Sequence, residues 1–201
     1  MHTPKRLRSG IFILAFMAAC AASASAAPEF KRFKMAQGLP NDVVYSILQD
    51  RQGFIWFSGE GGLVRYDGYT FKPYQNDPQN SASIASNNIS QILEDKDGAI
   101  WCSTWGSGVD RYDPVTEKFT HYKNIPGDPN SISDDRAHVI YQDRSGILWF
   151  GTYAGGLNRF DPKSGTFVRF QHDDGDPASL PNNRVWSVAE DAAGRLWVGT
   201  N

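Results

Sequence analysis

Seven side chains that could bind a small molecule occupy matching places in four copies of one repeat, yet differ from copy to copy. Four lie five residues before a recurring aspartate: Tyr45, Ser90, His138 and Trp186. Three follow the second predicted strand of their copies: Glu60, Trp105 and Tyr153. Aromatic rings can stack on sugar faces, and hydroxyl and carboxylate groups can hydrogen-bond to sugar hydroxyls. The set therefore predicts a site for a carbohydrate or another small-molecule ligand.

Catalytic residues are not predicted, because the sequence places no nucleophile near a base and shows no paired carboxylates. His121 and His172 fall on an outer strand and in a polar connection, where we expect them to be exposed to solvent. Cys102 follows a core tryptophan and is expected to be buried. The recurring aspartates occur once per copy, whereas a calcium site gathers about six oxygen ligands at one point. We therefore expect no metal and no cofactor.

The repeat that positions these residues is marked by Trp56, Trp101, Trp149 and Trp197, which are spaced by 45, 48 and 48 residues. Each tryptophan ends a segment that begins with aspartate and has glycine three residues later. This arrangement favours a tight turn, so each segment is predicted to be a β-hairpin. We interpret the four tryptophans as rings that pack the blades together.

Two further strands are predicted in each of the first three copies. The third contains glycine, arginine, an aromatic residue and aspartate, as in the run from Gly108 to Asp113, and the fourth carries two large rings. Units of about 45 residues with four short strands are typical of β-propeller blades. We therefore predict an all-β protein, a β-propeller with blades of four antiparallel strands. The repeated arginines are expected to form hydrogen bonds or ion pairs between strands: Arg65, Arg111 and Arg159.

The ring is predicted to be incomplete in this chain. Three whole blades are expected at about residues 41–74, 87–122 and 134–170, followed by a half blade at 183–201. Residues 30–34 match a fourth strand and are predicted to be an orphan outer strand that closes the ring by pairing with the last blade. Further blades and an output domain are expected after residue 201.

The N-terminal segment has the features of an export signal. Lys5, Arg6 and Arg8 precede an apolar run that ends in small residues at Ala24-Ser-Ala26, so residues 1–26 are predicted to be a signal peptide and the mature protein periplasmic. Cys20 leaves open the alternative of a lipoprotein. The net charge of -2 argues against nucleic-acid binding.

The motifs together resemble the two-component regulator propeller repeats. The resemblance covers residues 30–201 and is carried by runs such as Asn87-Asn88 before an apolar strand, the turn glycine, the Ile/Leu-Trp pair and Gly155-Gly156-Leu157. It implies the extracytoplasmic sensor region of a bacterial hybrid sensor kinase or related receptor. The family also implies additional blades, a β-sandwich, a membrane helix and a cytoplasmic output module.

The favoured hypothesis is thus an exported, non-enzymatic, ligand-sensing segment of a signal-transduction receptor. Ligand capture would bias the packing of blades or of a homodimer, and so a distant output domain. Two alternatives stay open: the N-terminal part of an exported propeller enzyme or carbohydrate-binding protein, and a propeller that binds other proteins.

Overall fold

The structure is a computed structural model, and it describes residues 29–201; the predicted signal peptide and Cys20 lie outside them. After a short 3-10 helix at Met35–Gln37, the strands follow in four groups. Strands β1 to β4 span Val44–Gln49, Ile55–Gly59, Gly62–Tyr66 and Phe71–Tyr74. Strands β5 to β8 span Ile89–Glu94, Ile100–Thr104, Val109–Asp113 and Lys118–Tyr122. Strands β9 to β12 span Ala137–Gln142, Leu148–Thr152, Leu157–Asp161 and Thr166–Phe170, and β13 and β14 span Val185–Glu190 and Leu196–Thr200.

Each of the first three groups forms one antiparallel sheet in simple chain order, and β13 and β14 form a two-stranded sheet. The predicted all-β architecture of four-stranded blades is therefore confirmed, with blades 1 to 3 complete and blade 4 represented by two strands. Residues 30–34, predicted as an outer strand, form no strand here. The ring of Phe33 packs instead against Tyr66 and Phe71 of blade 1, at centroid distances of 5.3 and 5.5 Å.

The recurring aspartate fastens each hairpin to its tryptophan. In blade 2, Oδ1 of Asp95 accepts hydrogen bonds from the backbone N–H groups of Asp97 and Ala99, and Oδ2 accepts one from Nε1 of Trp101 at 2.7 Å. Gly98 has a φ of 87°, which its lack of a side chain permits. Matching aspartate–tryptophan hydrogen bonds occur in all four blades, so these carboxylates stabilise the hairpin turns.

The core lies between neighbouring blades. The ring of Trp56 packs against Tyr112 of blade 2 at 5.5 Å, and that of Trp101 packs against Phe160 of blade 3 at 5.0 Å. Both tryptophans are 1% exposed. Each is covered by an aromatic residue of the third strand in the following blade.

Two of the four tryptophans depart from the predicted packing role. Trp149 is only partly buried, and Trp197 is 62% exposed. The physical reason is the same for both: blade 4 has no third strand among residues 29–201 to cover Trp149, and the structure describes no sheet after β14.

The repeated arginines also differ from expectation. The guanidinium carbon of Arg65 lies 4.5 Å from the ring centroid of Phe54, so this cation stacks on an aromatic face. Arg111 and Arg159 form no hydrogen bond or ion pair with any residue between 29 and 201. The aspartate two residues after Arg65 serves the next turn, because Oδ1 of Asp67 accepts hydrogen bonds from two backbone N–H groups.

The prediction of freely exposed histidines is wrong for His121. Nδ1 of its ring lies 2.6 Å from Oδ1 of the fully buried Asp110, and Nε2 lies 3.0 Å from the carbonyl oxygen of Ser81. His172 is exposed as predicted, and its Nδ1 and Nε2 lie 2.7 and 2.9 Å from the carbonyl oxygen of Leu180 and Oδ1 of Asp174. Cys102 is buried as predicted, and its burial raises the pKa of the thiol.

Candidate functional site

The four variable residues of the inner strands all occupy β-bulges. In blade 1, Val44 pairs with Gly59 and Ser46 with Ser58, which leaves Tyr45 as the extra residue of strand β1. The same shift in register occurs at the start of β5, β9 and β13, where the extra residues are Ser90, His138 and Trp186. A bulge interrupts the ladder and redirects a side chain. Each blade therefore has one residue outside the regular strand pairing, at the same place in its first strand.

The loops between the second and third strands bring the remaining predicted residues to this end of the blades. Glu60 lies in the loop of blade 1, and its Oε1 accepts a hydrogen bond from the hydroxyl of Tyr45 at 2.7 Å. This hydrogen bond to a carboxylate raises the pKa of Tyr45. Trp105 and Tyr153 occupy the corresponding loops of blades 2 and 3.

Four of the rings form a continuous set of edge-to-face contacts across three blades. Trp105 lies 5.2 Å from Tyr153 and 6.1 Å from His138 between ring centroids. Trp186 lies 4.8 Å from His138 and 6.2 Å from Tyr153. Trp105 and Trp186 remain 40% and 42% exposed, so their faces are accessible to a ligand.

Two cavities open beside these residues. One, of about 400 Å³, is lined by Tyr45, Asn88, Ser90, Trp105 and His138. The other, of about 440 Å³, follows the inner strands from Tyr45 to Trp186. Both volumes lie within the range of about 300 to 1,000 Å³ that is usual for small-molecule pockets. We call the seven predicted residues the entry-face site: Tyr45, Glu60, Ser90, Trp105, His138, Tyr153 and Trp186.

The histidine of the entry-face site is poorly suited to carry charge. Its Nδ1 is buried and forms no hydrogen bond within residues 29–201. Burial lowers the pKa of His138, so the neutral imidazole is favoured. This side chain therefore contributes mainly an aromatic edge and one ring nitrogen to the adjacent cavity.

Sequence reasoning missed two arginines beside the site. The guanidinium carbon of Arg184 lies 4.0 Å from the ring centroid of Tyr153, and that of Arg136 lies 4.8 Å from it. Arg136 is also paired with Asp134 at 2.6 Å. Both arginines lie two residues before a bulge residue, where the other copies have Val43 and Asn88. The variation at this second position could have identified both arginines from the sequence.

No group of three or more His, Cys, Asp or Glu side chains in residues 29–201 is arranged to hold a metal ion. Within the same part of the chain, no helix has the length and apolar character needed to cross a membrane.

The solved structures with similar folds include sensor domains. The chain matches the extracellular domain of the hybrid two component system BT3049 from B. thetaiotaomicron with 31% identity and a TM-score of 0.76, over 85% of this chain and 24% of that one. The corresponding domain of BT4673 from the same organism matches with 28% identity and a TM-score of 0.62, over 78% and 22% of the two chains. Virginiamycin B lyase from Staphylococcus aureus shares the fold at 22% identity and a TM-score of 0.58, over 81% and 50%.

The chain also matches a short part of a kinase sequence. Histidine kinase P4 of Formosa agariphila is 43% identical over 56 residues, which are 28% of this chain and 4% of that protein. The chain thus spans about a quarter of the solved sensor domains and a small part of this kinase.

The family model described as two component regulator propeller matches four segments, at residues 38–61, 83–106, 131–154 and 179–201. Each matched segment contains the entry loop, the bulge and the hairpin of one blade. The chain is therefore built from four repeats of the two component regulator propeller family.

Proposed function

We propose that this chain is the ligand-sensing, extracytoplasmic segment of a bacterial signal-transduction receptor, and that it binds a carbohydrate at the entry-face site. The observation that carries the proposal is the row of bulge residues, which places four different side chains at one equivalent position in successive blades. Its similarity to extracellular domains of hybrid two component systems supports the sensory role.

The arrangement of the entry-face site suits recognition of a sugar. Trp105 and Trp186 offer partly exposed ring faces, while Glu60 and Ser90 offer acceptors and a hydroxyl donor for ring hydroxyls. Mixed aromatic and polar linings fix a ligand's orientation while burying its apolar surface. Sugars present both kinds of surface in one small molecule.

A binding role is favoured over catalysis by the state of the ionisable groups. The carboxylate of Glu60 is engaged by the hydroxyl of Tyr45, and His138 has a lowered pKa from burial. The acid–histidine contact at Asp110 and His121 involves the β7–β8 ladder and the Ser81 carbonyl. These groups do not converge on one reacting atom, which general acid–base catalysis requires.

Signal transmission would depend on a ligand that contacts several blades at once in the entry-face site. A ligand in contact with Tyr45, His138 and Trp186 touches inner strands of three different blades. It would favour the arrangement of blades that it fits best, and so bias an attached output module by its differential affinity. A homodimer of the receptor offers one interface through which that bias could pass.

The proposal is tested by measuring sugar binding to the exported protein. We expect a glycan array followed by isothermal titration calorimetry to identify a saccharide ligand, and Trp105→Ala with Trp186→Ala to abolish its binding. Tyr69→Ala is the matched control, because Tyr69 is an aromatic residue that is 92% exposed and lies in the turn between β3 and β4. Absence of binding to every saccharide, or equal binding by the double variant, would refute the proposed function.

A further inference from the structure

The hairpin turns, at the end of the blades opposite the entry-face site, are linked by an arginine clamp between blades 1 and 2. Nη1 and Nη2 of Arg51 donate hydrogen bonds of 2.7 Å each to the carbonyl oxygens of Lys96 and Asp95. The backbone N–H of Arg51 also donates to Oε2 of Glu94. One arginine thus connects two consecutive hairpins by three hydrogen bonds.

Blades 3 and 4 repeat this clamp. The backbone N–H of Arg144 donates to Oε2 of Glu190 at 2.8 Å, and its Nη1 donates to the carbonyl oxygen of Ala192 at 3.2 Å. Arg144 and Glu190 occupy the positions of Arg51 and Glu94 in the repeat.

Blades 2 and 3 lack the clamp because both of its members are replaced. Lys96 stands where the arginine is expected, and Gln142 stands where the glutamate is expected. Nζ of Lys96 pairs with Asp97 in its own hairpin, and Nε2 of Gln142 donates to the carbonyl oxygen of Gly146 in its own hairpin. Within the described part of the chain, neither side chain forms a hydrogen bond across the junction, and the alkyl chain of Lys96 instead lies beside Gly146 of the blade 3 hairpin.

The open junction contains a groove of about 430 Å³, which lies within the range of about 300 to 1,000 Å³ that is usual for small-molecule pockets. We call it the blade 2/3 groove. Its lining combines cationic, acidic, polar and apolar groups, among them Arg111, Lys96, Asp95, Asp97, Ser145 and Tyr122.

The distinctive group of this groove is Arg111. It is only partly exposed, and its guanidinium forms no hydrogen bond or ion pair with any residue from 29 to 201. The corresponding Arg65 of blade 1 is occupied by stacking on Phe54, whereas blade 2 has Ala99 at that position. Neither lining carboxylate is hydrogen-bonded to Arg111, because the oxygens of Asp95 accept three hydrogen bonds from its own hairpin and Asp97 pairs with Lys96.

We propose that the blade 2/3 groove is a second ligand site, distinct from the entry-face site, and that it takes a hexuronic acid. The planar guanidinium of Arg111 matches a carboxylate, with which it can form two parallel hydrogen bonds. Ser145 and the free oxygen of Gln142 provide partners for the hydroxyls, and Tyr122 provides an aromatic edge. A sugar acid satisfies all three kinds of lining group.

The test uses D-galacturonate and D-glucuronate as probes, with D-galactose and D-glucose as neutral counterparts. We expect the two acids, and neither neutral sugar, to shift the NMR signal of the Trp101 indole N–H, which lies in the groove lining. Arg111→Gln should weaken the binding of the acids at least tenfold, while Arg159→Gln, at the matching position of blade 3, should leave it unchanged.

A second variant closes the groove without removing Arg111. The double substitution Lys96→Arg with Gln142→Glu installs the pair found at the other two junctions, and it should abolish acid binding while preserving the melting temperature. Trp105→Ala should have no effect on the Trp101 signal, which separates this site from the entry-face site. The proposal is overturned if neither acid shifts that signal, if the neutral sugars shift it equally, or if the clamped variant binds like the parent.

Discussion

Tyr45 and Glu60 are joined by a hydrogen bond of 2.7 Å that links the bulge of strand β1 to the loop between β2 and β3 in the same blade. The bond orients a carboxylate at the blade 1 end of the entry-face site. At the other end, Arg184 lies over the ring of Tyr153. The site therefore has an acidic end and a cationic end, separated by aromatic rings.

The Tyr45 hydroxyl is expected to strengthen binding by holding Glu60 in place. Tyr45→Phe removes the hydrogen bond and keeps the ring, so we expect saccharide affinity to fall because Glu60 loses the group that orients its carboxylate. Isothermal titration with Tyr45→Phe, Glu60→Gln and the double variant measures the coupling between the two residues. Strictly additive losses would contradict the positioning role.

Trp105 and Trp186 should contribute to binding with little contribution to folding. Each is about two-fifths exposed, so truncation to alanine leaves the core between the blades intact. We expect a loss of binding on the order of 1 to 3 kcal/mol for each variant, typical of an aromatic anchor, and a melting temperature close to the parent's. Calorimetric titration and thermal melting of the same samples separate the two effects, with Tyr69→Ala as control.

The core tryptophans are expected to show the opposite behaviour. Trp101 is 1% exposed and packs against Phe150 and Phe160, whereas Trp197 is 62% exposed. Trp101→Ala should cost about 3 to 5 kcal/mol of unfolding free energy, as for truncation of a buried aromatic residue. Trp197→Ala should cost far less. Urea denaturation of both variants gives the comparison, and equal losses would show that exposure does not govern the energetics of this repeat position.

The architecture was largely predictable because the same residue spacing, and so the same local structure, occurs in each copy of the repeat. The aspartate, glycine and tryptophan of each hairpin form one hydrogen-bonded unit, so their spacing encodes it directly. The burial of Trp197 was not predictable in the same way, since it depends on what packs against the outer face of a blade.

The entry-face residues were predicted from their variation, but the reason for their position was not visible in the sequence. The bulges at Tyr45 and Trp186 depend on which residues pair across two strands, and a shift of register leaves no mark in a single strand. Likewise, the contacts of His121 join residues 11 and 40 positions away, which hydrophobic periodicity does not reveal.

Export is expected to remove residues 1–26. The basic residues at positions 5, 6 and 8, the apolar run and Ala24-Ser-Ala26 are the features that a signal peptidase recognises. Intact-mass analysis of the protein from the periplasm should give an N-terminus at Ala27. An acylated N-terminal Cys20 would instead establish a lipoprotein, and a chain that keeps residues 1–26 would contradict cleavage.

The contact of His121 with two acceptors should make the attachment of the Ser81 loop depend on pH. The neighbours of its ring nitrogens, a carboxylate oxygen of Asp110 and the carbonyl oxygen of Ser81, can only accept hydrogen bonds. Both nitrogens must therefore carry a proton for both bonds to form. The hydrogen bond to Asp110, followed by the charge of Asp110 and the Ser81 carbonyl, raises the pKa of His121 above its usual value of about 6.5, against the opposing effect of burial.

Because the folded pKa is the higher one, the stabilisation from His121 is fully present below about pH 6.5 and is lost as the pH rises through the folded pKa. We expect amide hydrogen exchange around Ser81 to accelerate over that interval, after correction for the intrinsic dependence of exchange on pH. His121→Arg supplies the matched control, since blade 3 carries Arg169 at this position and its guanidinium donates to the carbonyl oxygens of Ser131 and Asp128. A permanent charge should remove the pH dependence; the same acceleration in the parent and in His121→Arg would show that another group controls the loop.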